Sequence, residues 1–354
     1  MEISVVETET KGVKPEDSKL GFGQFFTDHM FNMDYSVEKG WHDARIEPYA
    51  EIKLLPAAMV LHYGQAIFEG LKAYKTPEGR IQLFRARDNF ARFNRSAKGL
   101  CMPEMDVDFV MEALKKLICL EKKWVPGSDG TSLYIRPTMI ATDSFLGVRA
   151  SNTYRFFIIL SPVAAYYAEG FNPLKIWVSK DHVRAVKGGV GEFKTAGNYA
   201  ASLTAGTEAV KAGYAQVLWL DGVERKYIEE VGAMNIFFHI NDELVTPELS
   251  GSILPGITRY SVIRLAEKWG MKVAERKISI DELIQAGKQG TLKEVFGSGT
   301  AAVVSPVKEI KYGNETIEIG DGTPGELAMK FYTALTDIQY GKAEDTENWI
   351  EMVD

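Results

Sequence analysis

The chain has 354 residues, of which 45% are hydrophobic and 25% are charged, the ordinary proportions of a globular protein. Its 41 basic and 48 acidic residues give a formal net charge of −7, which argues against a general affinity for nucleic acid or for an anionic membrane surface. Two cysteines exclude a disulfide-built scaffold, and we expect no metal site because no metal-ligand spacing is present.

The first half of the chain predicts an α+β domain, which we place at residues 1–163. A hairpin pattern turns at Thr76–Gly79, and Asp88 and Asp106 each precede an apolar helical pattern that they can cap. The predicted elements are, in chain order, a hairpin at 71–85, a helix from Asp88 to Gly99, a helix over 107–124, and strands at 132–142 and 154–163.

The second half of the chain predicts a further domain at residues 174–354, after a linker at 164–173 that contains Gly170 and Pro173. The segment LKIWVS (174–179) and then a glycine-rich stretch at 188–197 come first in this domain. Its main predicted elements are a helix at 203–213, strands at 216–222, 226–232, 234–240 and 243–247, a helix at 253–270, a short helix at 281–287, a strand at 292–297 and a helix at 325–341.

The N-terminus has neither the basic start and apolar run of a secretion signal nor the arginines of a transit peptide. No apolar stretch reaches the roughly 18 residues that a membrane-spanning helix needs. We therefore expect a cytoplasmic protein that binds no membrane.

Several common motif templates fail on this chain. It has no phosphate-binding loop of the GxxxxGK[ST] type and no GxSxG nucleophile elbow, and its five histidines form no ligand pair. Residues 297–302 fit GxGxxA, but the residues that follow predict a strand where a dinucleotide-binding motif needs a helix. We interpret this stretch as a turn whose backbone amides can hold an anion.

Lys194 stands alone among small and apolar residues. One interpretation is a surface lysine at the end of a loop. The other is a buried amine, which desolvation makes less basic and more nucleophilic toward a carbonyl group. The residues around Lys194 do not by themselves decide between the two.

Three further features suggest partners for such an amine. Glu229 and Glu230 follow each other in a predicted strand, so their side chains point to opposite faces and one faces inward, although an exposed edge strand would also accommodate both. Arg85 ends an apolar strand, and amide groups at 255–258 and 297–300 could cradle a phosphate. A lysine, an inward glutamate and a phosphate site together describe a pocket for pyridoxal 5′-phosphate.

Nearly the whole chain, from about Gly21 onward, resembles the branched-chain amino acid aminotransferases of fold type IV. The stretches that carry the resemblance are FFTDHM (25–30), LHYGQAIFEGLKAY (61–74), LFR (83–85), TSLYIRP (131–137), GGVGEFKTAGNYAAS (188–202), QVLWLDG (216–222), EEVGAMNIF (229–237), ILPGITR (253–259) and FGSGTA (296–301).

The resemblance implies a role for individual residues. Lys194 matches the lysine that forms a Schiff base with the cofactor, Tyr199 the tyrosine at its phenolic oxygen, and Glu230 the glutamate at its ring nitrogen. Arg85 matches the phosphate arginine, with amides of Ile257, Thr258 and Thr300. The implied substrate contacts are Phe22, Tyr63, Phe68, Tyr134, Arg136, the amides of Thr300 and Ala301, and Leu146 and Val148, which reach into a neighbouring subunit.

The resemblance also implies a two-domain α+β fold, with a small N-terminal domain, a larger C-terminal domain with a barrel-like β core, and the active site between them. The implied partners are small molecules and a second copy of the chain, in a homodimer. The implied reaction is reversible transfer of the amino group of L-leucine, L-isoleucine or L-valine to 2-oxoglutarate. Ala302 and Ser305 stand where some relatives have a redox-active CxxC, and Ala233 replaces a threonine of others.

Three alternatives stay open on the sequence. One is a D-amino-acid aminotransferase or an aminodeoxychorismate lyase of the same fold, although those chains are shorter. A second is a binding protein without activity, against which the intact Lys194, Tyr199, Glu230 and Arg85 argue. The third is a nicotinamide-dependent dehydrogenase, which depends on the weak GxGxxA match.

Overall fold

The computed structural model describes residues 1–164 and 171–353, and these form two compact units. The first unit contains residues 1–164, 193–196 and 337–353, and the second contains residues 171–192 and 197–336. Six of the ten residues of the expected linker at 164–173 lie outside the described part of the chain. The predicted domains at 1–163 and 174–354 stay a prediction, and the structure packs 193–196 and 337–353 with the first unit.

Residues 1–164 supply eight strands and three helices. The strands are β1 (Ser4–Val5), β2 (His29–Ser36), β3 (Gly40–Pro48), β4 (Ala66–Phe68), β5 (Leu71–Lys75), β6 (Ile81–Phe84), β7 (Ser132–Ala141) and β8 (Thr153–Val163). The helices are α1 (Met59–Tyr63), α2 (Ala86–Gly99) and α3 (Val107–Leu120).

Residues 171–353 supply ten strands and four helices. The strands are β9 (Leu174–Val178), β10 (Gln216–Leu220), β11 (Ile228–Val231), β12 (Asn235–Ile240), β13 (Glu243–Thr246), β14 (Lys272–Glu275), β15 (Leu292–Gly299), β16 (Val303–Tyr312), β17 (Glu315–Glu318) and β18 (Ile350–Met352). The helices are α4 (Ala196–Lys211), α5 (Ile257–Lys268), α6 (Ile280–Lys288) and α7 (Glu326–Gln339).

The first unit is built on one mixed sheet in the order β1-β3-β2-β8-β7-β5-β6-β18, with β4 paired to β7. Its core contains Phe90 and Phe93 of α2 and Leu114 and Leu117 of α3, all fully buried. Along β7 the burial alternates, so that Tyr134 and Arg136 lie together on the less buried face of the strand. The sheet thus places these two predicted substrate residues on one face.

The second unit is built on a sheet in the order β11-β10-β9-β16-β15-β12-β13-β14, with β17 paired to β16. An isolated antiparallel bridge joins Val231 at the end of β11 to Met234 just before β12, with two backbone hydrogen bonds of 2.9 Å. This bridge closes the six strands β11, β10, β9, β16, β15 and β12 into a ring. The expected barrel-like β core is therefore confirmed.

Helix starts show where local patterns decide the structure and where they do not. Asp106 caps α3, as predicted, by accepting hydrogen bonds from the amides of Asp108 and Phe109. The predicted cap at Asp88 is wrong. Helix α2 begins at Ala86, and Arg85 occupies the cap position with a left-handed backbone (φ 52°), while Asp88 lies in the first turn.

The glycine-rich stretch at 297–302 lies at the end of β15 and in the turn before β16, which are antiparallel neighbours. A dinucleotide-binding motif needs a strand followed by a helix at this place. The dehydrogenase alternative is therefore wrong, and the interpretation as a turn is confirmed. In the described part of the chain no helix is both long and apolar enough to cross a membrane.

Candidate active site

The backbone amide and the backbone carbonyl group of Lys194 both form hydrogen bonds with residues of the first unit. Its carbonyl oxygen accepts from the amide of Phe68 at 3.0 Å, and its own amide donates to Ser96 Oγ at 3.0 Å. The next residue, Thr195, donates its hydroxyl to the carbonyl oxygen of Ala66 at 2.8 Å. These bonds fix the lysine beside β4, and its Nζ lies 4.9 Å from the centre of the Phe68 ring.

The predicted substrate residues of the first unit form a cluster that extends to Lys194 through Phe68. The guanidinium of Arg136 lies 4.7 Å from the centre of the Phe68 ring, and its Nη2 donates to the Tyr134 hydroxyl at 3.0 Å. The rings of Tyr134 and Phe22 meet edge to face, with their centres 5.1 Å apart. A cationic group, a phenol and two apolar rings thus lie near one amine.

Tyr63, Leu146 and Val148 lie together on an exposed part of the first unit. The Tyr63 hydroxyl donates to the carbonyl oxygen of Leu146. The Leu146 and Val148 side chains are among the most exposed large apolar groups of the described residues, at 62% and 84%.

An ion pair that the sequence did not suggest lies next to Phe68. Glu69 is fully buried, and Arg92 of α2 donates to both its carboxylate oxygens, at 2.7 and 2.9 Å. Asn89 also donates to this carboxylate. Burial opposes the charge of Glu69, but the charge and hydrogen bonds of Arg92, with a smaller contribution from Lys194, hold its pKa below the ordinary value. The Glu69–Arg92 pair therefore lies within the electric field of Lys194.

Arg85 has different surroundings. Its Nε donates to Asp88 Oδ2 at 2.6 Å, and its guanidinium lies 5.3 Å from the centre of the Trp349 ring. Its amide donates to the carbonyl oxygen of Trp349 at 2.7 Å. A carboxylate and an indole ring thus surround the arginine that the sequence predicts for the phosphate.

The second unit brings Tyr199 and Glu230 into one cleft of about 310 Å³, a volume that includes its open mouth. Glu230 is 3% exposed, and its carboxylate pairs with the guanidinium of Arg184 and accepts from Asn235 Nδ2 at 3.3 Å. A buried carboxylate needs such a cationic partner. The sequence missed Arg184, because its only local signal is one basic residue in a loop 46 positions before the glutamate.

The start of α5 is tied to Glu230 through Asn235. A Cβ atom at Gly256, the cap residue of α5, would lie 2.0 Å from Asn235 Oδ1, so this position requires glycine. Asn235 in turn binds Glu230 and the carbonyl oxygen of Leu254. The amides of Ile257 and Thr258 belong to the first turn of this helix, where amide groups and the helix dipole favour an anion. Thr300 and Ala301 lie in the turn between β15 and β16.

The amino-transferase class IV family matches residues 66–310, which is more than half of the chain. The chain belongs to this family. The recognition made from the sequence motifs is therefore confirmed, and with it the assignment as an enzyme, an aminotransferase.

The chain is also similar over nearly its whole length to individual members of the family. This class IV aminotransferase is 57% identical over 347 residues to branched-chain-amino-acid aminotransferase 2 of Bacillus subtilis, which covers 98% of this chain and 96% of that protein. It is 54% identical over 348 residues to a probable branched-chain-amino-acid aminotransferase of Staphylococcus aureus, covering 98% and 97%.

Solved structures agree with the fold of this class IV aminotransferase. The branched-chain amino acid aminotransferase of Escherichia coli superimposes with a TM-score of 0.78 at 30% identity, over 92% of this chain and 99% of that one. The branched-chain amino acid aminotransferase of Thermobaculum terrenum, solved in its PLP form (the holo form), gives a TM-score of 0.74 at 26% identity, over 92% and 98%. The fold class expected from the sequence is thus confirmed.

Proposed function

We propose that this aminotransferase transfers the amino group of L-leucine, L-isoleucine or L-valine to 2-oxoglutarate, with pyridoxal 5′-phosphate as its cofactor. The observation that carries the proposal is the position of Lys194, an amine fixed through its backbone beside Phe68, whose ring also contacts the guanidinium of Arg136. The names of the relatives at 54–57% identity support the choice of branched-chain substrates.

The residues present fit this cofactor. Its pyridine nitrogen needs an anionic partner, which Glu230 supplies, paired with the guanidinium of Arg184. Tyr199 lines the same cleft and offers a phenol to the ring oxygen, and the first turn of α5 offers amides to the phosphate. When bound, the cofactor supplies an aldehyde that takes the amino group and a ring that accepts negative charge.

In this proposal Lys194 Nζ would hold the cofactor covalently until the amino group of the substrate takes its place. The displaced, free Nζ would then move a proton to and from the substrate α-carbon as general base and acid. Its neighbour Phe68 excludes water from one side of the amine. Treating the purified protein with borohydride, followed by peptide mass mapping, tests this assignment. We expect the mass of the reduced cofactor on Lys194, and an unmodified Lys194 in a protein that carries the cofactor elsewhere would contradict it.

The phosphate arginine is the part of the proposal on which sequence and structure point to different residues. The resemblance assigns Arg85, whose guanidinium is engaged by Asp88 and Trp349. Arg92 instead binds Glu69, which lies in the field of Lys194. We therefore include Arg92 beside Arg85 in the proposed phosphate site, together with the amides of Ile257, Thr258 and Thr300.

Lysine substitutions separate the two arginines, because each keeps the charge and loses the guanidinium fork. We expect Arg92→Lys to weaken pyridoxal 5′-phosphate binding about 10- to 100-fold, the range of a lost charge-assisted hydrogen bond, and Arg85→Lys to weaken it less. Equilibrium dialysis of the two variants measures this, with melting temperatures as the control for folding. A larger loss for Arg85→Lys would support the assignment made from the sequence.

The substrate pocket has to accept an apolar side chain in one half-reaction and a carboxylate in the other. Phe22 and Phe68 provide apolar walls, and Tyr134 and Arg136 on the same face of β7 can bind the carboxylate of glutamate at the rim. We propose that Tyr63 also contacts the substrate and that the amides of Thr300 and Ala301 bind its α-carboxylate.

Arg136→Ala tests whether Arg136 binds the side-chain carboxylate of glutamate and 2-oxoglutarate. We expect it to weaken the glutamate and 2-oxoglutarate half-reaction by about 1.5–3 kcal/mol, the value of a hydrogen bond to a charged group, and the leucine half-reaction much less. Stopped-flow absorbance of each half-reaction gives the two losses separately. Equal losses would mean that Arg136 supports the fold, through its contacts with Tyr134 and Phe68, and does not select the substrate.

We also propose that the enzyme acts as a cytoplasmic homodimer in which Leu146 and Val148 of one subunit reach the substrate pocket of the other. The exposure of both apolar side chains in the single chain supports this proposal, because large exposed apolar groups commonly lie in subunit interfaces.

A further inference from the structure

Glu229 lines a cavity of the second unit that is separate from the cleft of Glu230. The cavity is open to solvent on one side, and its volume together with the solvent at its mouth is about 730 Å³. It shares no lining residue with the cleft of Tyr199 and Glu230. The two glutamates are consecutive on β11, where successive side chains point to opposite faces, so the strand separates the two sites.

Glu229 is buried without full hydrogen bonding. It is 5% exposed, and Ser252 donates to its Oε1, but among the described residues no donor reaches its Oε2. Burial raises the pKa of this carboxyl group, although Ser252 and the charge of Arg184 oppose the shift. A buried carboxyl oxygen without a donor costs free energy, and the proposed reaction has no use for it.

The other groups of the cavity define what could supply the missing donor. Asp221 is not available to bind a ligand, because its carboxylate already accepts hydrogen bonds from the amides of the turn at 223–227. Four carboxyl groups and two lysines line the cavity, so its formal charge is negative and favours a cation. Its apolar walls come from Tyr227, Pro247 and Ile253, while the Ile228 side chain lies on the face of β11 opposite to Glu229.

We propose that this cavity binds a small molecule that carries a primary ammonium group on a short apolar body. The ammonium group donates to the Glu229 carboxylate, and the apolar body packs between Tyr227 and Ile253. Simple alkylamines and apolar amino acids share this chemistry. An amino acid would also place its carboxylate near Lys187 or Lys277, which line the same cavity. The site is additional to the proposed transamination.

Calorimetric titration of the purified enzyme tests the proposal, with 3-methylbutylamine as the first probe and L-leucine as the second. We expect Glu229→Gln to weaken amine binding about 10- to 100-fold, as for a lost charge-assisted hydrogen bond. The matched control is Glu224→Gln, which removes an exposed carboxylate of the same cavity and is expected to change the affinity less than about threefold. The compound 3-methylbutanoate has the same carbon skeleton but carries a carboxylate in place of the amine. It should give no heat that depends on Glu229.

A second variant keeps the test decisive if Glu229→Gln lowers the stability of the protein. Val223 lies at the cavity and is 83% exposed, so Val223→Trp can fill the mouth while Glu229 stays intact. We expect this variant also to lose amine binding about tenfold or more, for lack of space. Because L-leucine also binds at the proposed active site, only the heat that Glu229→Gln abolishes is compared. Tighter Glu229-dependent binding of L-leucine than of the amine would assign the cavity to amino acids, and the reverse to simple amines. Absence of binding to the wild type, or full affinity in both cavity variants, would overturn the proposal.

Discussion

Replacing Lys194 by alanine is expected to lower transamination at least about 10³-fold, because the covalent attachment of the cofactor and the proton transfer at the α-carbon both depend on Nζ. The backbone of residue 194 makes the hydrogen bonds to Phe68 and Ser96, and alanine keeps them. The variant should therefore stay folded. Steady-state kinetics and equilibrium dialysis of pyridoxal 5′-phosphate measure the two consequences, loss of turnover and retention of non-covalent binding.

Lys211→Ala is the matched control for that experiment, since Lys211 is an exposed lysine at the end of α4. It should keep wild-type turnover. Turnover of Lys194→Ala within about tenfold of the control would remove Lys194 from the chemistry, because a lost general acid–base group alone is worth about 10²–10⁴-fold.

Glu230→Gln is expected to lower kcat by about 10²-fold or more, and far more than Glu229→Gln does. A neutral amide cannot hold a protonated ring nitrogen, and each unit of pKa that the nitrogen loses corresponds to about 1.4 kcal/mol. The amide also leaves the guanidinium of Arg184 without its buried partner. Glu229 lines the other cavity, so its substitution leaves the partner of the ring nitrogen in place.

Rate measurements for both glutamine variants test this difference, and the pH dependence of the cofactor absorbance gives a second measure of the ring environment. Glu230→Gln should change both, and Glu229→Gln should leave the absorbance titration close to that of the wild type. Equal effects of the two substitutions would mean that the face of β11 directed to the cofactor is assigned wrongly.

The strand that carries these glutamates shows how far sequence reasoning reaches. Alternation correctly separates Glu229 from Glu230, because the geometry of a strand is local. The sequence predicted that one of them faces inward, but the structure buries both. The segment that covers Glu229 comes from residues 247–253, which are remote in sequence, so no pattern within the strand reveals it.

The ion pair of Glu69 and Arg92 was missed for the same reason. Its partners are 23 residues apart, one next to β4 and the other on α2, and no local spacing links them, although Glu69 lies within the stretch 61–74 that carries the resemblance. Arg85 drew attention because it ends an apolar strand, which is a local signal. The structure shows that Arg85 is the cap residue immediately before α2 and that its side chain is engaged by Asp88. Local patterns thus predicted the strands and the lysine, and long-range pairs decided which arginine lies in the field of Lys194.

The central claim, transamination of branched-chain L-amino acids with 2-oxoglutarate, is tested most directly by a panel of amino donors. Glutamate formation is measured for the purified enzyme with pyridoxal 5′-phosphate, for L- and D-isomers of leucine, isoleucine, valine, alanine and aspartate. We predict the highest kcat/KM for the three branched-chain L-amino acids, within about 1–3 kcal/mol of one another, because they differ by a methylene or a branch point. Faster reaction of the D-isomers, or no glutamate from any of the three, would contradict this account.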